Sequence, residues 1–322
     1  MTNALYFGTA AFAFVLFACP AAAGERAIKA DYPVTPVTDK VYVIYGPLEE
    51  PKEKTQGFRN NPGIVLTSQG VVVIDPGGSR YAGEMVLKKI RTLTPAPVIA
   101  VFDTHHHGDH WLGNDAIKRA YPKVAIYAHP AMKTKLEGGE GERWLDIINR
   151  VTHGASTGTR VVGPDKTVTD GDTVKLGDTR FRIYQAGTAH TDNDIMIEVV
   201  EEKVLFLGDV VRGNLGLMDG SSFKGNIAAI DVVLATGART GAKHFIPGHG
   251  PGGGPEVARS YQNYLKTLYA QVQELHKQGL VDFEMKPKVA EALRAYRHWS
   301  GFDTMLGSHI SQAYLEAEAD AF

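Results

Sequence analysis

The chain has 322 residues, 43% of them hydrophobic and 22% charged, and a formal net charge of -2. That length supports a substantial core, as one large domain or two small ones. The near-neutral balance lacks the basic footprint that phosphate binding leaves, which argues against nucleic acid as a partner. Cys19 is the only cysteine, so a disulfide framework is excluded and polar chemistry falls to carboxylates and the twelve histidines.

Residues 1–24 carry no charged side chain, and the apolar run 11–18 is followed by Pro20 and Ala21-Ala22-Ala23. This reads as an export signal over residues 1–23, cleaved after Ala23, which predicts a periplasmic or secreted protein. The run is shorter than the roughly 20 residues needed to span a bilayer, so no stable membrane insertion is expected once the signal is removed. With Cys19 gone, the mature chain offers no thiolate to a metal.

After a polar lead-in, β-branched runs at 41–45, 64–67, 71–74 and 98–102 predict strands, and the spacing of Met85, Val86, Ile90 and Leu93 predicts a helix over 81–93. A second set follows, with strands at 124–128, 179–185, 195–200, 204–207 and 244–246 and helices at 130–150 and 226–238. Such alternation predicts an α/β layered domain. From residue 256 the strand signal fades, and helices are expected at 256–279, 286–299 and 308–321. The organisation expected is a catalytic domain over 28–255 and a C-terminal helical extension over 256–322. Gly252-Gly253-Gly254 lacks the Gly-Lys ending of a phosphate-binding loop and reads as a plain connection.

The chemistry begins at Thr104-His105-His106-His107-Gly108-Asp109-His110, directly after the strand 98–102. In extended backbone His105 and His107 share a face and can grip one ion. Gly108 then permits a change of direction, and Asp109 and His110 can address a second ion. Imidazole and carboxylate are ligands that zinc accepts when thiolate is absent. His190 follows the strand 179–185, Asp209 follows 204–207, and His249 follows 244–246. Each has the same form: a strand, a small residue, then a potential ligand. His106 is expected to point away from the ligands, and His129, His153, His244, His276, His298 and His309 to be surface or satisfied core residues. Arg212, three residues after Asp209, is a candidate for holding a substrate anion.

Taken in order, Thr104-His105-x-His107-x-Asp109-His110, Ala189-His190-Thr191, Gly208-Asp209 and Pro247-Gly248-His249-Gly250 resemble the metallo-β-lactamase superfamily. The resemblance includes the strand and turn Val71-Val72-Val73-Ile74-Asp75-Pro76-Gly77-Gly78 and covers about residues 34–255. It implies an αββα sandwich of two mixed sheets flanked by helices, with the site at one edge between the sheets. By the same resemblance, His105, His107 and His190 would bind a first metal, Asp109, His110 and His249 a second, and Asp209 would bridge them. Asp75 would orient the metal loop through hydrogen bonds.

Asp209 stands where the antibiotic-destroying members usually carry Cys or Ser. A bridging Asp is instead similar to glyoxalase II, ribonuclease Z and many general hydrolases. Export and near-neutral charge fit the first two poorly. The chain is most similar to periplasmic metallohydrolases linked to quinoprotein and sulfur oxidation. The implied cofactor is a pair of zinc ions, with iron or manganese as substitutes for either or both. The implied reaction is attack of a dimetal-bound hydroxide on an ester, thioester or lactam carbonyl of a small molecule, with Asp109 carrying the proton. Two alternatives accompany it: a mononuclear-iron sulfur or persulfide oxygenase, and a β-lactamase. The pocket-lining loops 49–61 and 213–225 decide the substrate, and the loop 47–62 is expected to overhang the site.

Overall fold

The computed structural model describes residues 27–49, 52–218 and 220–320; the expected signal 1–23 lies outside the described residues. Two mixed sheets stack face to face with helices on both outer sides. The first sheet runs in chain order: β1 (Thr35–Pro36), β2 (Val41–Val43), β3 (Gly63–Thr67), β4 (Gly70–Ile74), β5 (Val98–Phe102), β6 (Ala125–Ala128) and β7 (Lys166–Thr167). β1 to β4 pair antiparallel, and β4 to β7 pair parallel. The second sheet contains β8 (Thr173–Leu176), β9 (Thr179–Tyr184), β10 (Met196–Val199), β11 (Val204–Phe206) and β12 (His244–Ile246). Its order is β12-β11-β10-β9-β8, antiparallel except for the β11–β12 pair.

The period of two in β4 shows how the layers are specified. Val72 and Ile74 face the second sheet, packing in one cluster with Phe102, Phe181, Ile197 and Phe206. Val71 and Val73 face the other way, against Met85, Val86 and Ile90. Those last three belong to α1 (Arg80–Leu93), whose N-terminus is capped by Ser79 Oγ accepting from the Ala82 N–H at 3.1 Å. Each such buried Val or Ile stabilises the fold by about 1.5–3 kcal/mol.

Two short helices follow β5: α2 (Gly108–Trp111) and α3 (Asn114–Ala120). The segment after His107 is therefore a turn of helix, where the sequence reading expects an open loop. Beyond β6, the predicted helix 130–150 is divided into α4 (Pro130–Lys135) and α5 (Gly141–Val151). Gly139 takes a left-handed φ of 106° in the intervening π turn, which periodicity does not register.

The second sheet's outer face is covered by α6 (Phe223–Thr240), α7 (Glu256–Lys277), α8 (Asp282–Ala292) and α9 (Phe302–Ala319). α6 starts three residues before its predicted position, where Ser222 Oγ caps it by accepting from the Gly225 N–H at 2.9 Å and Glu316 of α9 adds Oε2 accepting from the Phe223 N–H at 2.7 Å and Oε1 from the Lys224 N–H at 3.2 Å. α8 begins ahead of its predicted start, with Glu284 reaching back to the Val281 N–H at 3.1 Å, and α9 begins at Phe302. No helix among the described residues is long and apolar enough to cross a membrane. β1, β7 and β8 escape the sequence reading because they are short and polar, and exist only through their pairing partners.

Candidate metal centre

Four strand ends converge at one edge between the sheets. The stretch after β5 delivers His105, His107, Asp109 and His110; the β9–β10 loop delivers His190; the turn after β11 delivers Asp209; and the turn after β12 delivers His249. The structure brings all of these together. His105, His107 and His190 form one group with ligand atoms within 4.8 Å of one another, and Asp109, His110 and His249 form another. Asp209 sits between them. Its Oδ1 lies 3.3 Å from His110 Nε2, and its Oδ2 lies 3.5 Å from His190 Nε2 and 3.4 Å from His249 Nε2.

Hydrogen bonds behind the rings select their tautomers. His110 Nδ1 lies 2.8 Å from Asp75 Oδ2, and His249 Nδ1 lies 3.1 Å from the Arg59 carbonyl. Both partners can only accept, so each Nδ1 carries a proton, and each ring in its neutral form would present a lone pair at Nε2. Those two Nε2 atoms face each other at 3.2 Å. Thr104 Oγ1 donates to Asp75 Oδ2 at 2.7 Å, which leaves it to accept from His105 Nδ1 at 3.0 Å. His105 Nε2 is then a further lone pair, buried and without a hydrogen-bond partner. Several acceptors aimed at one another repel unless cations lie among them. The donor set, imidazole and carboxylate without thiolate, suits zinc and also iron or manganese.

The electrostatics divide the candidate ligands. Burial pushes His105, His107 and His190 well below the usual histidine range, so they stand neutral and ready to coordinate. Burial opposes charge on His110, but the carboxylates of Asp209, Asp75 and Asp109 outweigh it and carry its pKa well above that range. Burial would raise Asp209, yet Arg212, His249 and His110 hold its carboxyl well below the ordinary carboxylate value. His110, His249 and Arg59 do the same for Asp109 against its own burial.

The ligand turns are held from behind. Asp75, at a left-handed φ of 51°, accepts the Thr104 N–H through Oδ1 at 2.8 Å and thereby orients the metal loop. Asn60 donates to the Asp75 carbonyl at 2.7 Å. Asn61 donates to the carbonyls of Pro247 at 2.8 Å and Gly250 at 2.7 Å, fixing the turn that carries His249. Gly248 is required there, because a Cβ would lie 2.0 Å from Asp209 Oδ1. His106 turns from the ligand atoms towards Asn193, with its Nδ1 2.9 Å from Asn193 Nδ2.

Arg212 departs from expectation. It is 4% exposed, places Nη1 2.9 Å from Asp209 Oδ2, and donates from Nε to Asn214 Oδ1 at 3.2 Å. Its charge is engaged by the Asp209 carboxylate, and its side chain also lines the pocket beside the cluster. Sequence reading missed Arg59, whose Nε lies 3.8 Å from Asp109 Oδ2, and Trp144, whose ring centroid lies 4.7 Å from that of His107. Neither sits in a motif; only chain folding brings them to the ligands.

Sheets, helices and ligand cluster together define an αββα sandwich with a histidine–carboxylate metal site at its edge. The model of the metallo-beta-lactamase superfamily matches residues 56–268, well over half the chain, and the protein belongs to that superfamily. The hydroxyacylglutathione hydrolase of Francisella tularensis subsp. holarctica is 28% identical over 155 residues, 48% of either chain. That of Gloeobacter violaceus is 29% identical over 174 residues, 52% of this chain and 57% of the relative. The chain thus spans about half the length of the curated relatives it matches. Among solved structures, a metallo-beta-lactamase from Pontibacter korlensis aligns with a TM-score of 0.58 at 24% identity, covering 73% of this chain and 99% of the other. The metallo-beta-lactamase FIM-1 from Pseudomonas aeruginosa aligns with a TM-score of 0.57 at 17% identity, covering 75% and 97%. These structural likenesses speak to the fold.

Proposed function

We propose that this superfamily member is an exported dinuclear metallo-hydrolase that cleaves an ester or thioester of a small molecule. One observation carries the reading: a trio of His105, His107 and His190 and a trio of Asp109, His110 and His249 lie on either side of Asp209, which itself groups with His105 and His110 and whose oxygens face nitrogens of both trios, Oδ1 at 3.3 Å from His110 and Oδ2 at 3.5 Å from His190. A mononuclear site has no use for the second group. His105, His107 and His190 would hold one ion, Asp109, His110 and His249 the other, and Asp209 both. When bound, a metal pair supplies an acidified water as nucleophile and a Lewis acid for the carbonyl oxygen.

The chain's own residues do the rest. Asp109 Oδ2, 3.3 Å from His249 Nε2 and lining the pocket, is the carboxylate placed to take the proton released on attack and return it to the leaving group. Arg59 keeps that carboxylate oriented. Trp144 and its neighbours on α5 keep bulk water from one side of the reacting carbonyl. The thioester alternative is supported by the hydroxyacylglutathione hydrolases among the relatives. The uncharged apolar run before Gly24 supports export.

The test is a panel of esters, thioesters, lactones and β-lactams offered to the zinc-loaded protein, together with His107→Ala. Ester or thioester turnover with two zinc ions per chain, lost in the variant, supports the proposal. Preferred turnover of β-lactams makes it a lactamase. A single iron with oxygen consumption makes it an oxygenase. Unchanged activity in His107→Ala ends the dinuclear reading.

A further inference from the structure

We infer that the site selects a compact apolar acyl group, the size of a benzene ring or a chain of about six carbons. The inference rests on the hydrolase reading and narrows it. A pocket of about 160 Å³ opens beside the ligands, with His107, Asp109 and Asp209 on one wall. The facing wall is apolar and comes from three separate parts of the chain: Trp144, Ile147, Ile148 and Val151 on α5, Leu217 in the loop after Arg212, and Met305 on α9. A volume of about 150 Å³ is the size of one benzene molecule.

Charge points the same way. Two cations and two carboxylates line the pocket, with Arg212 2.9 Å from Asp209 and Arg59 3.8 Å from Asp109. A terminal carboxylate on the acyl group would have to lie against the apolar wall, which costs free energy, whereas an apolar acyl group gains burial there. At the rim Val151 and Leu217 are 38% and 41% exposed, which is where a longer chain would emerge. The leaving group departs to water and needs no wall of its own.

N-acetylcysteamine thioesters with acyl chains of two to eight carbons, read by thiol release, test the inference on the full zinc-loaded chain. We expect kcat/KM to rise about fourfold per methylene, the equivalent of burying one CH₂, and to level off near six carbons. Succinyl should be poorer than butyryl. Met305→Gln and Leu217→Ser, at positions only partly buried, should each lower the hexanoyl-to-acetyl ratio at least fivefold. Binding of hexanoate and of acetate to the purified protein, measured by calorimetry, gives an arm independent of turnover. Tighter hexanoate binding without hydrolysis of any thioester would keep the apolar pocket and remove the hydrolase reading. Turnover that is flat with chain length, or that favours succinyl, would keep the hydrolase and overturn the pocket's assignment.

Discussion

His309, on α9, donates from Nε2 to the carbonyl of Gly216 at 2.8 Å. A carbonyl can only accept, so Nδ1 is the bare nitrogen, and the Tyr264 hydroxyl donates to it at 2.7 Å. Gly216 in turn packs against the Arg212 guanidinium so closely that a Cβ would lie 1.9 Å from Nη2. Arg212 reaches Asp209, and the next residue, Leu217, lines the pocket. One buried imidazole thus ties α7 and α9 to the loop that carries Arg212 and Leu217.

The first prediction concerns that imidazole. Burial lowers the His309 pKa from 6.5 to about 4. Above pH 6.5 native and unfolded states both hold it neutral. Between 6.5 and 4 the unfolded chain binds a proton that the native chain refuses, so stability falls as pH falls through this window. The loss is about 1.4 kcal/mol per pH unit, roughly 3 kcal/mol in total. Urea unfolding of the wild type and His309→Gln across pH 4 to 8 should show the wild type steeper by about one proton. Equal slopes would remove His309 from the account.

Asp75 accepts from the Thr104 N–H, the Thr104 hydroxyl and His110 Nδ1. In Asp75→Asn the amide must offer a donor to groups that already donate, and His110 loses the partner that sets its tautomer. Zinc affinity, measured by chelator competition, should drop 10- to 100-fold, in the range for lost outer partners of a ligating histidine. An affinity within twofold of wild type would show that the Thr104–Asp75–His110 network is dispensable.

Gly248→Ala puts a methyl where Asp209 Oδ1 now sits. We predict that Asp209 shifts, that kcat/KM falls about 100-fold, as a displacement near 1 Å can cost, and that stability falls by about 1–3 kcal/mol. Retained activity would mean that Asp209 need not hold its position.

Arg212 leads the influences that keep Asp209 ionised against burial. Replacing it by Met removes that cation, so Asp209 takes up a proton at a higher pH. The acid limb of the pH–rate profile, and the pH at which zinc is released, should both move upward by about one unit or more. Arg212→Lys should recover part of the shift. Limbs that coincide in wild type and Met variant would contradict the role assigned to the Arg212–Asp209 pair.

Much of the fold, and the candidate ligands that the fold brings together, were legible in the sequence, for a local reason. Val71-Val72-Val73-Ile74 and Val98–Phe102 announce buried strands through side-chain type alone, and a ligand is placed just past each strand end, where neighbours in sequence are neighbours in space. Gly139 breaking the helix 130–150 was not legible, because a single left-handed residue leaves periodicity on either side intact. Part of what starts α6 early was equally hidden, since Glu316, which reinforces the Ser222 cap, lies 93 residues away from Phe223.

By itself the sequence determined an α/β layered plan, through the twofold and 3.6-fold periods of its apolar residues, and the inventory of histidines and carboxylates at the strand ends; the αββα sandwich was implied by the order of those motifs, through their resemblance to a known superfamily. Only the tertiary structure decided which groups flank them: Arg59 and Arg212 turned onto ligand carboxylates, and Trp144, Leu217 and Met305 met across one pocket. Period and propensity act over a few residues, whereas that wall is made by side chains from three distant segments that touch only after the sheets have stacked.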